Sequence, residues 1–142
     1  MTENTYPRGS EWRIWDAAVH PPQLPAGDAG YVAFAEAVNS APAQVLGIFE
    51  PYSITAYREL CATGICTKTL FPVVGLKSLA GSKGKGFAFR ILLDNDPQLL
   101  PILEQLIADL PCLTSDGQRA QVAELDADVR ASGNVFVDFV DT

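Results

Sequence analysis

The chain has 142 residues, 48% hydrophobic and 19% charged, with a net charge of −7. That length and balance describe one globular domain able to bury a sizeable core, not a disordered chain. The acidity disfavours a bulk nucleic-acid binder. No apolar run approaches the roughly 18 residues of a membrane span, and the polar start "MTENTYPRGSEW" does not read as a secretory leader. A cytoplasmic protein is expected.

In chain order, "RIWDAAV" (13–19) reads as a short buried strand, followed by the loop "HPPQLPAGD", where three prolines forbid regular structure. "AGYVAFAEAVNSA" (29–41) predicts a helix with Tyr31, Phe34, Ala35 and Val38 on one face and Asp28 as N-cap. "QVLGIF" (44–49) has strand length. "SITAYRELCATG" (53–64) predicts a second helix, capped by Ser53 and ended by Gly64. "TLFPVVGLKSL" (69–79) is strand-like, and its internal proline favours an edge or irregular position. The loop "AGSKGKG" leads to "FAFRILL" (87–93), a strand that makes an antiparallel-looking pair with the one before it.

Asp96 as cap and Pro97 at the first helical position open a third helix, and Pro101 implies that it starts late or bends. "TSDGQRAQVAELDADVRASG" predicts one more amphipathic helix through Val122, Leu125 and Val129. "NVFVDFV" (134–140) alternates as a half-exposed strand. Strands alternating with helices imply an α/β fold.

Charge is unevenly spread. Residues 1–59 hold three bases and seven acids, and residues 94–142 hold two bases and ten acids. Residues 60–93 carry Lys68, Lys77, Lys83, Lys85 and Arg90 with no acid, a local anion-facing patch or simply a solubilised loop tip. Cys61, Cys66 and Cys112 match no zinc spacing and read as buried free thiols in a reducing compartment. Ser10, Ser53 and Ser115 could draw a catalytic base only from His20, the one histidine. "GSKGKG" lacks the order of a phosphate-binding loop. Asp94/Asp96 and Asp126/Asp128 fall in caps and solvated helix faces, where paired carboxylates are ordinary.

Three segments, "YPRGSEWRIWDAAVHPP", "VLGIFEPYSITAYREL" and "LFPVVGLKSLAGSKGKGFAFRILL", occur in an order that resembles the PHP-type (polymerase and histidinol phosphatase) domain, as at the N-terminus of TrlF-like AAA ATPases. The likeness spans about residues 6–93. It implies a distorted barrel that hydrolyses phosphate esters with two or three metal ions held by His, Asp and Glu. Position by position, Asp16 and His20 remain, and the first expected histidine is Ala18. The expected Thr-Asp pair is Phe49 and Glu50, the expected strand glutamate is Gly75, and the next strand's histidine is Arg90. The remnant set of Asp16, His20 and Glu50 offers at most three ligands, and Arg90 sets a fixed positive charge where an imidazole would coordinate.

The expectation is therefore an α/β fold, either a partial PHP-like barrel or an open mixed sheet with flanking helices. Residues 1–142 form one domain, with a PHP-like segment (6–93) and a helix-helix-strand tail (94–142). No catalytic residue and no cofactor is expected; if one were present it would be a divalent metal, Mn or Zn. The function implied is a non-catalytic, protein-binding inhibitor, antitoxin-like neutraliser or decoy, with an acidic surface suited to a basic partner. The alternatives are a residual metal-dependent phosphoesterase or nuclease, and a nucleotide or nucleic-acid binder using Lys83, Lys85 and Arg90. A truncated barrel would leave sheet edges open, so either "NVFVDFV" closes the sheet or another chain covers it, a partner or a second copy.

Overall fold

The computed structural model describes residues 14–25, 27–78, 87–114, 117–132 and 134–137. They form an open mixed α/β sheet with helices against it: β1 (Trp15–Val19), α1 (Gly30–Ser40), β2 (Val45–Pro51), α2 (Thr55–Ala62), β3 (Thr69–Ser78), β4 (Phe87–Leu92), α3 (Leu100–Ala108), β5 (Pro111–Leu113), β6 (Arg119–Gln121), α4 (Ala127–Ala131) and β7 (Phe136–Val137). The strand order is β1-β2-β3-β7-β5-β6, with β4 on the other side of β3, and the sheet does not close into a barrel. β1, β2 and β3 run parallel, β4 turns back against β3, and β5 lies antiparallel to both β6 and β7.

Alternation along the strands sorts side chains onto two faces. Leu46 and Ile48 of β2 and Leu70 of β3 pack with Tyr31, Ala35 and Val38 of α1 and with Ala56, Tyr57 and Leu60 of α2. Further along β3, Val74 and Leu76 join a second cluster with Tyr52, Ile54, Ile107, Cys112, Val122, Val135 and Val137. Leu100 touches both clusters and so joins them on one side of the sheet, with β4 left exposed beside them.

Both early helices form as their spacing predicts. Asp28 Oδ1 accepts the Gly30 N–H at 2.7 Å, although the cap position itself is Ala29. Ser53 Oγ accepts the Thr55 N–H at 3.1 Å one residue ahead of the cap position Ile54, and Gly64 leaves the second helix with φ +71°. β1 is not buried as expected: it is an edge strand with Trp15, Asp16 and Ala17 exposed. It carries an extra residue between Asp16 and Val19, and Gly47 lies opposite. A Cβ on Gly47 would stand 2.8 Å from the Ala17 carbonyl oxygen and 2.6 Å from Val73 Cγ2, so only glycine lets the bulged strand approach.

β3 corrects another expectation. Despite Pro72 it is a central strand, paired with β2 through Thr69–Gly75 and with β4 through Val73–Ser78. The Pro72 carbonyl accepts the Leu93 N–H at 2.9 Å, so its donor-less nitrogen faces the β4 side, one step past the last pair, Val73 with Leu92. The missing N–H forfeits only the reciprocal bond to Leu93, at the end of the β4 ladder, and none toward β2.

The tail departs most. α3 starts late, at Leu100, with Pro101 in its first turn; Asp96 instead closes a preceding turn by accepting the Gln98 N–H. The single helix expected over "TSDGQRAQVAELDADVRASG" is replaced by strand β6, a 3₁₀ turn (Val122–Glu124) and the short α4. Strand pairing with β5 and the 2%-exposed Val122 outweigh helical spacing here. Gln121 and Glu124 close the 3₁₀ turn with reciprocal side-chain bonds. Of the last expected strand, residues 134–137 lie within the described residues and Phe136–Val137 are strand; β7 meets β3 at a single pair, Ser78 with Val137.

That junction turns on Tyr52. β2 leaves the sheet at Pro51, and Tyr52 takes the left-handed φ of +55°, the one non-glycine residue described that does so. Its N–H still reaches the Gly75 carbonyl at 3.0 Å. Its hydroxyl, with the residue only 4% exposed, accepts the Lys77 N–H at 3.0 Å and donates to the Val135 carbonyl at 2.6 Å. The hydroxyl thus fills the gap on the β3 edge where the neighbour changes from β2 to β7. Tyr52→Phe should cost about 1–3 kcal/mol in urea unfolding, because it strands a buried donor and acceptor, and amide exchange at Lys77 should accelerate. A loss no larger than for an exposed tyrosine would contradict this role.

Candidate functional site

The helix-free face of the sheet carries the positions singled out by sequence. Phe49 lies on it at the end of β2, directly over Gly75 of β3, whose missing side chain leaves room for the ring. His20, just past β1, meets the Phe49 ring edge-on at 4.9 Å between centroids. Arg90 of β4 is paired with Gly75, and its guanidinium carbon sits 5.0 Å from the Phe49 ring centre. An imidazole and a guanidinium therefore share one aromatic ring, a cation–π contact worth about 0.5–1 kcal/mol at an exposed site. Trp15 stacks on Phe71 at 6.2 Å further along the same face.

The remnant acids are elsewhere. Phe49 and Glu50 are consecutive in the strand, so their side chains point to opposite faces. Glu50 lies on the helix side, where Oε1 accepts the Ala56 N–H at 2.6 Å in the first turn of α2. Asp16 Oδ1 accepts the Ala18 N–H at 3.1 Å and is exposed. The structure thus gathers His20, Gly75 and Arg90 around Phe49 and separates Asp16 and Glu50 from them. Among the described residues no three His, Cys, Asp or Glu side chains group as metal ligands do. Lys83, Lys85 and Ser115 lie outside the described residues. The thiols are free; Cys112 is buried, whereas Cys61 is exposed and Cys66 half-buried, against the expectation that all three are buried.

Burial pushes the Glu50 carboxyl above the ordinary carboxylate range, against the opposing pull of the Ala56 N–H and of Arg130 and Arg58. Sequence reading missed its surroundings. Glu50, Ser53, Thr55, Arg130 and Asp128 line a cleft of about 420 Å³ at the carboxyl end of β2, together with the proline loop after β1. No spacing in the sequence joins Glu50 to Arg130, eighty residues away; only the return of α4 beside β2 does so.

β4 is exposed along its whole length: Arg90 and Leu92, opposite Gly75 and Val73, share the Phe49 face, whereas Phe87, Phe89 and Ile91, opposite Ser78, Leu76 and Val74, lie on the helix side. Trp15, Phe87, Phe89 and Leu92 are 59%, 56%, 40% and 50% exposed, and none belongs to either core cluster. Among the described residues β4 pairs on one side only. No helix among those described is long and apolar enough to cross a membrane. Comparison with protein-family models, curated proteins and solved structures returns no match.

Two outcomes follow. Gly75→Ala should destabilise by about 1–3 kcal/mol, since its Cβ would fall 2.6 Å from Phe49 Cζ; adding Phe49→Leu should recover part of that loss in a double-mutant cycle. Strict additivity would show that ring and glycine do not share the space. Because the folded-state pKa of Glu50 is raised, the folded chain keeps that proton to higher pH than the unfolded one. Stability therefore falls as pH rises from about 4.5 through the raised value. Glu50→Gln, whose amide oxygen can still accept from Ala56, should raise the Tm above that interval and leave it unchanged below.

Proposed function

We propose that this chain is a non-catalytic, PHP-like domain that binds another protein, acting as an inhibitor, antitoxin-like neutraliser or decoy. The observation that carries this reading is the Phe49 ring, seated over Gly75 between His20 and Arg90. At the positions where the resemblance implies a histidine, a glutamate and a second histidine stand Ala18, Gly75 and Arg90, and the ring of Phe49, at the position of the expected threonine, packs on the latter two instead of leaving a hole. Activating water for phosphoester attack needs a cation held by several donors. Here one imidazole remains on that face, opposed by a guanidinium that repels a cation and separated from both acids. The donor set does not fit a hydrolytic metal, and we assign no reaction to it.

The surface offered to the partner is β4 with the adjoining aromatic face. An edge strand usually carries charges that deter pairing; β4 has Arg90 among Phe87, Phe89, Ile91 and Leu92. Exposed aromatic and aliphatic side chains of this density mark interaction sites, and an open strand edge can accept a strand from a partner. The net charge of −7 favours a basic partner.

The chain should purify without stoichiometric Mn or Zn and should take up neither on incubation. The protein that co-purifies with it from its native host should bind about tenfold more weakly at high salt than at low salt, and should be lost on Trp15→Ala or Leu92→Asp with the circular dichroism unchanged. One equivalent of tightly held Mn or Zn, released by His20→Ala, would overturn the reading.

A further inference from the structure

The cleft at the end of β2 lies on the opposite side of the sheet from the Phe49 cluster and has no part in the reading above. It collects charges that are only half satisfied. One oxygen of Glu50 is taken by the Ala56 N–H, and the other has no protein partner among the described residues. Arg130 gives one nitrogen to the Leu125 carbonyl at 2.9 Å, and its remaining donors are left for other acceptors. Both side chains line the same space of about 420 Å³, yet no ion pair joins them. A half-buried carboxylate without its second donor is costly, and a guanidinium with one carbonyl acceptor has donors to spare. Each lacks what a ligand of opposite charge would bring.

The rest of the lining narrows the choice. Asp128 adds a second acid, Ser53 a hydroxyl, and Leu24 and Pro25 an apolar wall. A phosphate or nucleotide would meet two carboxylates for one guanidinium. A polyamine would leave Arg130 facing a positive charge. A molecule with an ammonium and a carboxylate a few ångströms apart satisfies both ends, and the apolar wall takes a side chain. The volume lies at the small end of the range for ligand clefts, about 300–1,000 Å³. The position, outside the carboxyl end of a parallel strand, is where open α/β sheets hold ligands.

We propose that this cleft binds a free α-amino acid, its ammonium on Glu50 and its carboxylate on Arg130. The test uses the full chain and thermal-shift titration with each of the twenty L-α-amino acids to 20 mM, about the concentration at which millimolar binding becomes visible. At least one should raise the Tm saturably. The N-acetyl derivative of that amino acid, which lacks the ammonium, and its methyl ester, which lacks the carboxylate, should each bind at least tenfold more weakly. Glu50→Gln and Arg130→Gln should weaken the amino acid by a similar factor. Derivatives on the unaltered chain decide the matter even if a variant does not fold. The proposal is overturned if no amino acid shifts the Tm, if either derivative binds as well as its parent, or if both variants fold and bind unchanged. A Trp15→Ala chain should bind the amino acid normally, which separates this site from the protein-binding face.

Discussion

The sheet holds together across a change of partner, and the Tyr52 hydroxyl makes that change possible. A parallel strand that leaves the sheet exposes donors and acceptors on its neighbour, and in a buried setting each must be met. Where β2 departs, the neighbour's N–H at Lys77 finds the phenolic oxygen, and the same hydroxyl donates to Val135 on the segment that brings in β7. The first cluster of the core is built from β1–β3 with α1 and α2, and the second from the later elements; Tyr52 itself belongs to the second. A positive φ in a bulky residue is a cost of order 1–3 kcal/mol that persists only where the surroundings hold it. Here two hydrogen bonds and near-complete burial hold it.

The same departure of β2 creates both candidate sites. Phe49 and Glu50 are adjacent, and strand alternation sends one to the open face and the other to the helix side. On the open face the ring takes the space over Gly75 and gives His20 and Arg90 a common surface. On the other, Glu50 meets the first turn of α2 and a cleft completed by α4. A phenylalanine and a glycine complement each other across two strands, so the open-face arrangement is packed and not merely vacant. The proposed protein-binding role draws on that packed, exposed surface, and the proposed amino-acid site on the cleft behind it.

Much of the first two thirds of the chain was legible because local signals agreed there. The i, i+4, i+7 spacing of Tyr31, Ala35 and Val38, the short apolar run of β2 and the Ser53-to-Gly64 bounds of α2 each point one way. The tail was less legible because its signals conflict. Val122, Leu125 and Val129 have helical spacing, but residues 119–121 gain more by pairing with β5, and Val122 gains more by burial against Ile107 and Val135 than helix formation offers. Pro72 misled for a related reason: its donor-less nitrogen faces away from β2 and meets β4 only at the end of that ladder, and sequence does not say where the neighbouring strand ends.

Composition and periodicity by themselves determined the α/β class, the alternating order of the early elements, the mixed sheet and the scarcity of imidazole donors, because these depend on residue type and short-range spacing. Tertiary structure alone decided that Phe49 fills the space over Gly75, that Glu50 faces away from His20, and that Arg130 returns to the end of β2. Those facts depend on strand register and on which face each side chain takes. A shift of one residue in β2 would reverse the first two, whereas the third depends on where α4 packs.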